Sequence, residues 1–387
     1  MRFMFSKRMK FFWAALVTGF CVLAASGAEQ WVYFGTYTSG KSKGIYVSRF
    51  DSHTGKLSEP ELAAETKNPS FLALHPTGKF LYAVGEINDA QGQRAGAVNA
   101  YALDAKTGKL TALNQQTSGG TGPCHVSVDA TGNCALVANY GSGSIAALPI
   151  KPDGSLGAAA TTIQHTGSSV NPKRQVGPHA HFITTAPDNR LVFACDLGLD
   201  KVLIYQLDPT TAKLTTNNPP SAAVPHGSGP RHLAFHPNGK FAYVINEMAL
   251  TITVFSYEAA QGTFFEEQNV STVPGDYVIT EKDSGAEVAV HPSGKFVYSS
   301  NRGHDSIAVF AVDAKTGKLT LIQNESTQGK TPRHFAIDPG GHWLLAENQN
   351  SDSVVGFAID AATGKLKPTG QTITVGSPVC AVFVKVQ

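Results

Sequence analysis

Arg231 and Glu247 stand near the two ends of Gly229-Pro-Arg-His-Leu-Ala-Phe-His-Pro-Asn-Gly-Lys-Phe-Ala-Tyr-Val-Ile-Asn-Glu247. The middle of this segment, His236-Pro-Asn-Gly239, is a turn: Pro presets one φ angle and Gly accepts φ > 0. The charged ends therefore meet at the far end of a hairpin, either as a structural ion pair or as half of an active site. Two other places carry groups of the same kind, His179 and His181 in Gly177-Pro-His-Ala-His-Phe182, and Arg302 in Ser300-Asn-Arg302. His and Glu can move a proton near neutral pH, and Arg binds anions. Two His at i, i+2 could ligate a metal, but no third ligand falls nearby. Cys124, Cys134, Cys195 and Cys380 lack Cys-x-x-Cys spacing and have no base beside them, and their pairing cannot be read.

These residues need elements to hold them, and composition limits which. Of 387 residues only 16% are charged, the net charge is +2, and Gly (38) and Pro (21) are abundant, a profile of turn-rich β structure that implies no nucleic-acid partner. Arg2, Lys7, Arg8 and Lys10 precede an apolar run from Phe11 to Ala25 and then Ser26-Gly27-Ala28. That order is a secretory signal over 1–28, cleaved after Ala28, leaving a single domain over 29–387 that is periplasmic or secreted. The alternative, an uncleaved anchor, asks for ~20 apolar residues, more than the run provides. No second membrane segment follows.

One turn recurs seven times at a period of about 50 residues: Thr54-Gly-Lys-Leu57, Thr107-Gly-Lys-Leu110, Asp153-Gly-Ser-Leu156, Thr211-Ala-Lys-Leu214, Gln261-Gly-Thr-Phe264, Thr316-Gly-Lys-Leu319 and Thr363-Gly-Lys-Leu366. Between copies lies a second turn, as in His75-Pro-Thr-Gly78, Asp129-Ala-Thr-Gly132, Ala186-Pro-Asp-Asn189, His291-Pro-Ser-Gly294 and Asp338-Pro-Gly-Gly341. Two hairpins per repeat make four strands, which predicts an all-β, seven-bladed β-propeller of four-stranded blades. Trp31–Phe34 and Gly44–Phe50 would supply a blade lacking its first strand, and Pro378–Phe383 would close the ring against them.

Repeats allow comparison at equivalent positions. Counting from the turn proline, six residues before it stand Ser70, Cys124, His181, Arg231, Ala286 and Arg333; ten after it stand Glu86, Tyr140, Leu197, Glu247, Arg302 and Gln349. The two sets are expected to face each other across each hairpin at one mouth of the central channel. The position before the second set is mostly Asn (Asn139, Asn246, Asn301, Asn348), read as a structural turn former. His75, His236 and His291 belong to the turns. His181, Arg231, Glu247 and Arg302 differ from blade to blade, which points to chemistry rather than repeat structure. Arg302 could instead pair locally with Asp305. His125, His232 and His334, one residue further into their strands, are weaker candidates for the same mouth.

Gly35-Thr-Tyr-Thr-Ser39 with Gly44-Ile-Tyr46, the Thr-Gly-Lys-Leu turns, Val137-Ala-Asn-Tyr140, Gly229-Pro-Arg-His232 with Asn246-Glu247, and Ser300-Asn-Arg302 together resemble the seven-bladed propeller lactonase family, which includes propeller-type 6-phosphogluconolactonases and fungal carboxy-muconate lactonising enzymes. The resemblance covers residues 30–387. It implies a metal-independent site without cofactor that opens a sugar-acid lactone, with His181, Arg231, Glu247 and Arg302 as catalytic groups. His179, His125, His232, Arg333 and Glu86 are expected to bind substrate. His181 or Glu247 would be the base for water, and the arginines would bind an acidic group or the developing oxyanion. A Ser-His-Asp nucleophile is not indicated. The implied partner is a small anionic sugar lactone, the protein being a monomer or weak dimer. Export sits poorly with a phosphorylated cytosolic substrate. Two alternatives stand beside hydrolysis: cycloisomerisation of an unsaturated diacid, and a noncatalytic exported binding scaffold.

Overall fold

A computed structural model describes residue 1 and residues 29–386; the secretory signal expected over 1–28 lies, but for its first residue, outside the described residues. Seven antiparallel sheets surround a central channel. The innermost strands of blades one to six are Leu72–Leu74, Pro123–Val128, Ala180–Thr185, Pro230–Phe235, Ser284–Val290 and Pro332–Ile337. The second strands, such as Phe241–Asn246 and Leu191–Asp196, are buried along their whole length and read as continuous apolar runs, because both faces of a blade are covered by its neighbours. Outer strands such as Thr263–Ser271 are largely polar and exposed. The core is divided accordingly into clusters between adjacent blades, for example Phe182, Phe193 and Val202 against Leu233, Val244 and Phe255.

Blade seven is built from both chain ends. Pro378–Lys385 is its innermost strand and pairs with Glu29–Thr36, with Val32 opposite Phe383 and Phe34 opposite Ala381. The ring thus closes as the repeat count predicts, and Glu29–Thr36 is paired on both sides.

The proline-bearing turns do form the innermost hairpins, while the Thr-Gly-Lys-Leu turns join the two outer strands. Both kinds tie blades together. His75, His236 and His291 each point Nε2 at the carbonyl of Gly132, Gly294 and Gly341 in the next blade's turn, at 2.8–2.9 Å. Buried Tyr33, Tyr82, Tyr243 and Tyr298 donate their hydroxyls to the carbonyls of the outer-turn glycines Gly108, Gly154, Gly317 and Gly364. The repeated Asn is structural as expected, but for a different reason. Asn139, Asn301 and Asn348 have ordinary φ angles and act through their side chains, donating Nδ2–H to the carbonyls of Ser118, Thr272 and Thr327.

One expectation about the hairpins is corrected. Arg231 and Glu247 are not cross-strand partners: Pro230 pairs with Asn246 and His232 with Ile245, so Arg231 sits in a β-bulge. Bulges fall at the same place in blades two, three and six, at Cys124, His181 and Arg333. A bulge opposes two residues to one and re-aims the strand locally. Successive residues, Arg231 and His232 for instance, consequently both reach the channel, one above the other.

Candidate active site

At the mouth where the bulges lie, Glu247 is the hub. Its Oε1 accepts from Arg174 Nη2 at 2.8 Å, and its Oε2 lies 3.0 Å from Arg302 Nη2, 3.2 Å from Arg231 Nε and 3.9 Å from His181 Nε2. All four catalytic candidates are therefore brought together, from blades three, four and five. The pair Arg231–Glu247 is not a surface ion pair: both side chains are buried. Arg302 turns to Glu247 and to the carbonyl of Gly285, leaving Asp305 to Lys330.

Burial alone would raise the Glu247 carboxyl, but Arg302, Arg231 and Arg174 outweigh it and hold the group at about 2. Burial, then the adjacent Arg231 charge, push the His181 imidazole well below its usual range, so it rests neutral. Burial and repulsion from Arg302 and Arg333 lower the Arg231 guanidinium to about 10, which still leaves it charged at neutral pH.

A 340 Å³ cavity opens at this hub, lined by Glu86, Cys124, Tyr140, Arg174, His181, Glu247, Ser284, Arg302 and Arg333. It shares Arg174, Glu247 and Ser284 with a wider 680 Å³ groove leading outward, across which Lys173 and Glu281 meet at 2.9 Å. Arg231 does not line the cavity. Its guanidinium is committed to the carbonyl of Ala286 and to Glu247, so it backs the carboxylate rather than facing a ligand. On the opposite wall, Glu86 accepts from Tyr37 and Ser70, and Arg333 lies over the Tyr37 ring at 5.5 Å. Arg333 has no carboxylate within 4.0 Å among the described residues.

The other candidates sit elsewhere. His179 stacks on Tyr140 (ring centroids 4.5 Å) and points Nδ1 at that residue's carbonyl, at the rim beside the cavity. His125, His232 and His334 do not reach the mouth; they form a buried layer beneath it, His125 between the rings of Phe71 and Phe182. All four described cysteines are free and buried, and burial pushes the Cys124 thiol up, away from thiolate character. Gly40-Lys-Ser-Lys-Gly44 has the letters of a serine nucleophile elbow, but Ser42 bonds Thr36 Oγ1 at 2.6 Å between two strands, with no helix following.

Two site residues escape the sequence reading. Arg174 lies in the long loop between Thr161–Gln164 and Ala180–Thr185, outside the repeat, so no turn aligns it. Tyr37 was within reach: Thr36 pairs with Pro378 as Asn246 pairs with Pro230, and extending the comparison to blade seven makes Tyr37 the counterpart of Glu247.

Fold and site together define a β-propeller lactonase. The chain belongs to the seven-bladed β-propeller lactonase family, whose model, "Lactonase, 7-bladed beta-propeller", matches residues 31–383. It is 42% identical over 303 residues to the 6-phosphogluconolactonase of Bacillus subtilis, covering 78% of this chain and 83% of that one. It is 33% identical over 311 residues to a 6-phosphogluconolactonase of Formosa agariphila, covering 79% and 85%. Among solved structures it is similar to the periplasmic gluconolactonase of Pseudomonas aeruginosa, with a TM-score of 0.87 and 35% identity over 93% of this chain and 100% of that one.

Proposed function

We propose that the protein hydrolyses a sugar-acid lactone outside the cytoplasm, with His181 as general base for the attacking water. One observation carries this reading: a neutral, buried His181 shares the mouth cavity with Arg174, Arg302 and Arg333. Glu247 is a weak base, because three arginines hold it ionised. Its part is to fix Arg302 and Arg174 where a carbonyl turning tetrahedral develops negative charge. His181 removes a proton from water, the hydroxyl adds to the acyl carbon, and the ring oxygen leaves, taking up a proton. Arg333, with no carboxylate of its own, grips an acidic group or polar edge of the substrate.

Export and a single domain over 29–387 belong to the same proposal. The basic stretch, apolar run and small-residue site of 1–28 support it, as does likeness to a protein described as periplasmic. A phosphate is then dispensable, and unphosphorylated gluconolactone is the first substrate to try. The test is ring opening of glucono-δ-lactone and its 6-phosphate, followed by acid release over pH 4–9. Activity should be flat through neutrality and fall only well below pH 6.5, as His181 takes a proton; His181→Asn should lose at least a hundredfold in kcat, within the range of general-base effects. Absence of turnover on both lactones, or an acid limb above pH 6.5, sinks the reading.

A further inference from the structure

Beneath the cavity the channel holds ionisable groups that ring opening, as described, does not use. Glu287 accepts at Oε1 from the Val288 backbone N–H (3.0 Å) and at Oε2 from His232 Nδ1 (2.9 Å), and His334 Nε2 approaches the same Oε2 at 3.4 Å. Glu347 Oε2 lies 2.8 Å from His334 Nδ1. A backbone contact and burial together assign the protons along this row. The Ala381 N–H points at His334 Nδ1 at 3.3 Å, and burial raises the Glu347 carboxyl well above its usual range, which together make that nitrogen the acceptor. The His334 proton is then on Nε2, facing Glu287, and the hydrogen between Glu347 and His334 belongs to Glu347. Glu347 is a neutral acid; Glu287 is a carboxylate with three donors.

The end of the row nearest the site is left open. With Nδ1–H given to Glu287, His232 has an unprotonated Nε2, and this atom is buried without a hydrogen-bond partner among the described residues. Such orphaned polar atoms are rare in interiors and call for a reason. The His232 ring stands edge-on to His181, centroids 5.2 Å apart at 64°.

We propose that His232 and Glu287 are a proton-relaying pair of positioning residues beneath His181, Glu287 holding His232 in the tautomer whose free Nε2 receives the proton that hydrolysis leaves in the site. This rests on the reading of the mouth as a lactone-hydrolysing site. At neutral pH the new carboxylic acid ionises, so each turnover leaves one proton behind. The acid's O–H bond breaks and the proton passes by way of His181 and a bridging water to His232 Nε2, which has no side-chain partner within hydrogen-bond reach. There an N–H bond forms, the Nδ1–H bond breaks, and an O–H bond forms on Glu287; the reverse sequence returns the proton once product has left. No charge rests on the imidazole, which faces the cations Arg231 and Arg333 and the neutral rings of His125, His181 and His334. Burial favours a protonated Glu287 as the transient store.

Two isosteric variants of equal burial test this. Glu287→Gln offers His232 Nδ1 an amide donor, reversing the tautomer; Glu347→Gln still donates to His334 as the neutral acid does. Steady-state hydrolysis of glucono-δ-lactone should show kcat down at least tenfold with KM within twofold for Glu287→Gln, and both constants within twofold of wild type for Glu347→Gln. Nitrogen-15 spectra of histidine-labelled, ligand-free protein, assigned with His232→Gln, should show His232 protonated at Nδ1 in the wild type and at Nε2 in Glu287→Gln. Wild-type kcat in Glu287→Gln, equal kcat losses in both variants accompanied by equal drops in melting temperature, or an Nε2–H His232 in the wild type overturns the proposal. If the wild type opens no lactone, the functional reading fails, while the tautomer still decides whether the pair is built as described.

Discussion

Removing the charge of Glu247 would leave Arg174, Arg231 and Arg302 facing one another with nothing to neutralise them, two of the three deeply buried. Breaking a buried pair from one side costs about 3–5 kcal/mol. Glu247→Gln should therefore lower both kcat, by at least tenfold, and the melting temperature, so lost turnover must be measured well below the transition. The pH dependence separates charge from packing. The folded carboxyl is held at about 2 against 4.5 for the free group, so its stabilisation is complete above pH 4.5 and lost as pH falls toward 2. The melting-temperature gap between wild type and Glu247→Gln should be wide at pH 7 and close between pH 4.5 and 2; a constant gap would mean that packing, not charge, is responsible. Arg333 gives the complementary case. Its partner is an aromatic ring rather than a carboxylate, so Arg333→Gln should raise KM for an acidic lactone at least tenfold with kcat within threefold, and equal KM values for wild type and variant would remove it from binding. His181, Arg231, Glu247 and Arg302 could be found in the sequence because each stands at a fixed count from a repeated turn. Arg174 could not, since its loop has no counterpart in other blades, and the commitment of Arg231 to Glu247 rather than to the cavity depends on packing that a count does not carry.

At the scale of the hairpin, the sequence announces its turns clearly but not its bulges. Thr-Gly-Lys-Leu is visible as a repeat because its Gly has two separate reasons to be there. Gly317 has φ +71°, and a Cβ on it would come within 2.5 Å of the Phe241 ring of the preceding blade. Gly317→Ala should cost about 2–5 kcal/mol, the left-handed penalty plus overpacking. Combining it with Phe241→Leu should recover only the packing share in a denaturant titration; full recovery, or no loss in the single variant, would mean that the backbone angle contributes nothing. The bulges at Cys124, His181, Arg231 and Arg333 leave no such mark, since their residues differ and each is dictated by what it must reach. Equal counting along two strands consequently predicts that Arg231 opposes Glu247, and the extra residue breaks that register.

For the whole molecule, the seven-fold repeat made the architecture readable, including the completion of blade seven from two distant segments. Deleting residues from Pro378 onward should expose the Glu29–Thr36 edge and leave the channel wall open beside His334. We expect such a truncation to form concentration-dependent oligomers in light scattering and to lose its single cooperative unfolding transition; a monomeric, cooperatively unfolding truncation would show that closure is dispensable. That late strand also orders events in time. Glu29–Thr36 is among the first described segments made, yet its inner partner emerges from the ribosome some 350 residues afterwards. At ~5–20 residues per second the early strand waits tens of seconds unpaired on that side. The chain thus carries a built-in delay, in which six blades can stack while the ring stays unlatched and threadable, and the last strand acts as the clasp.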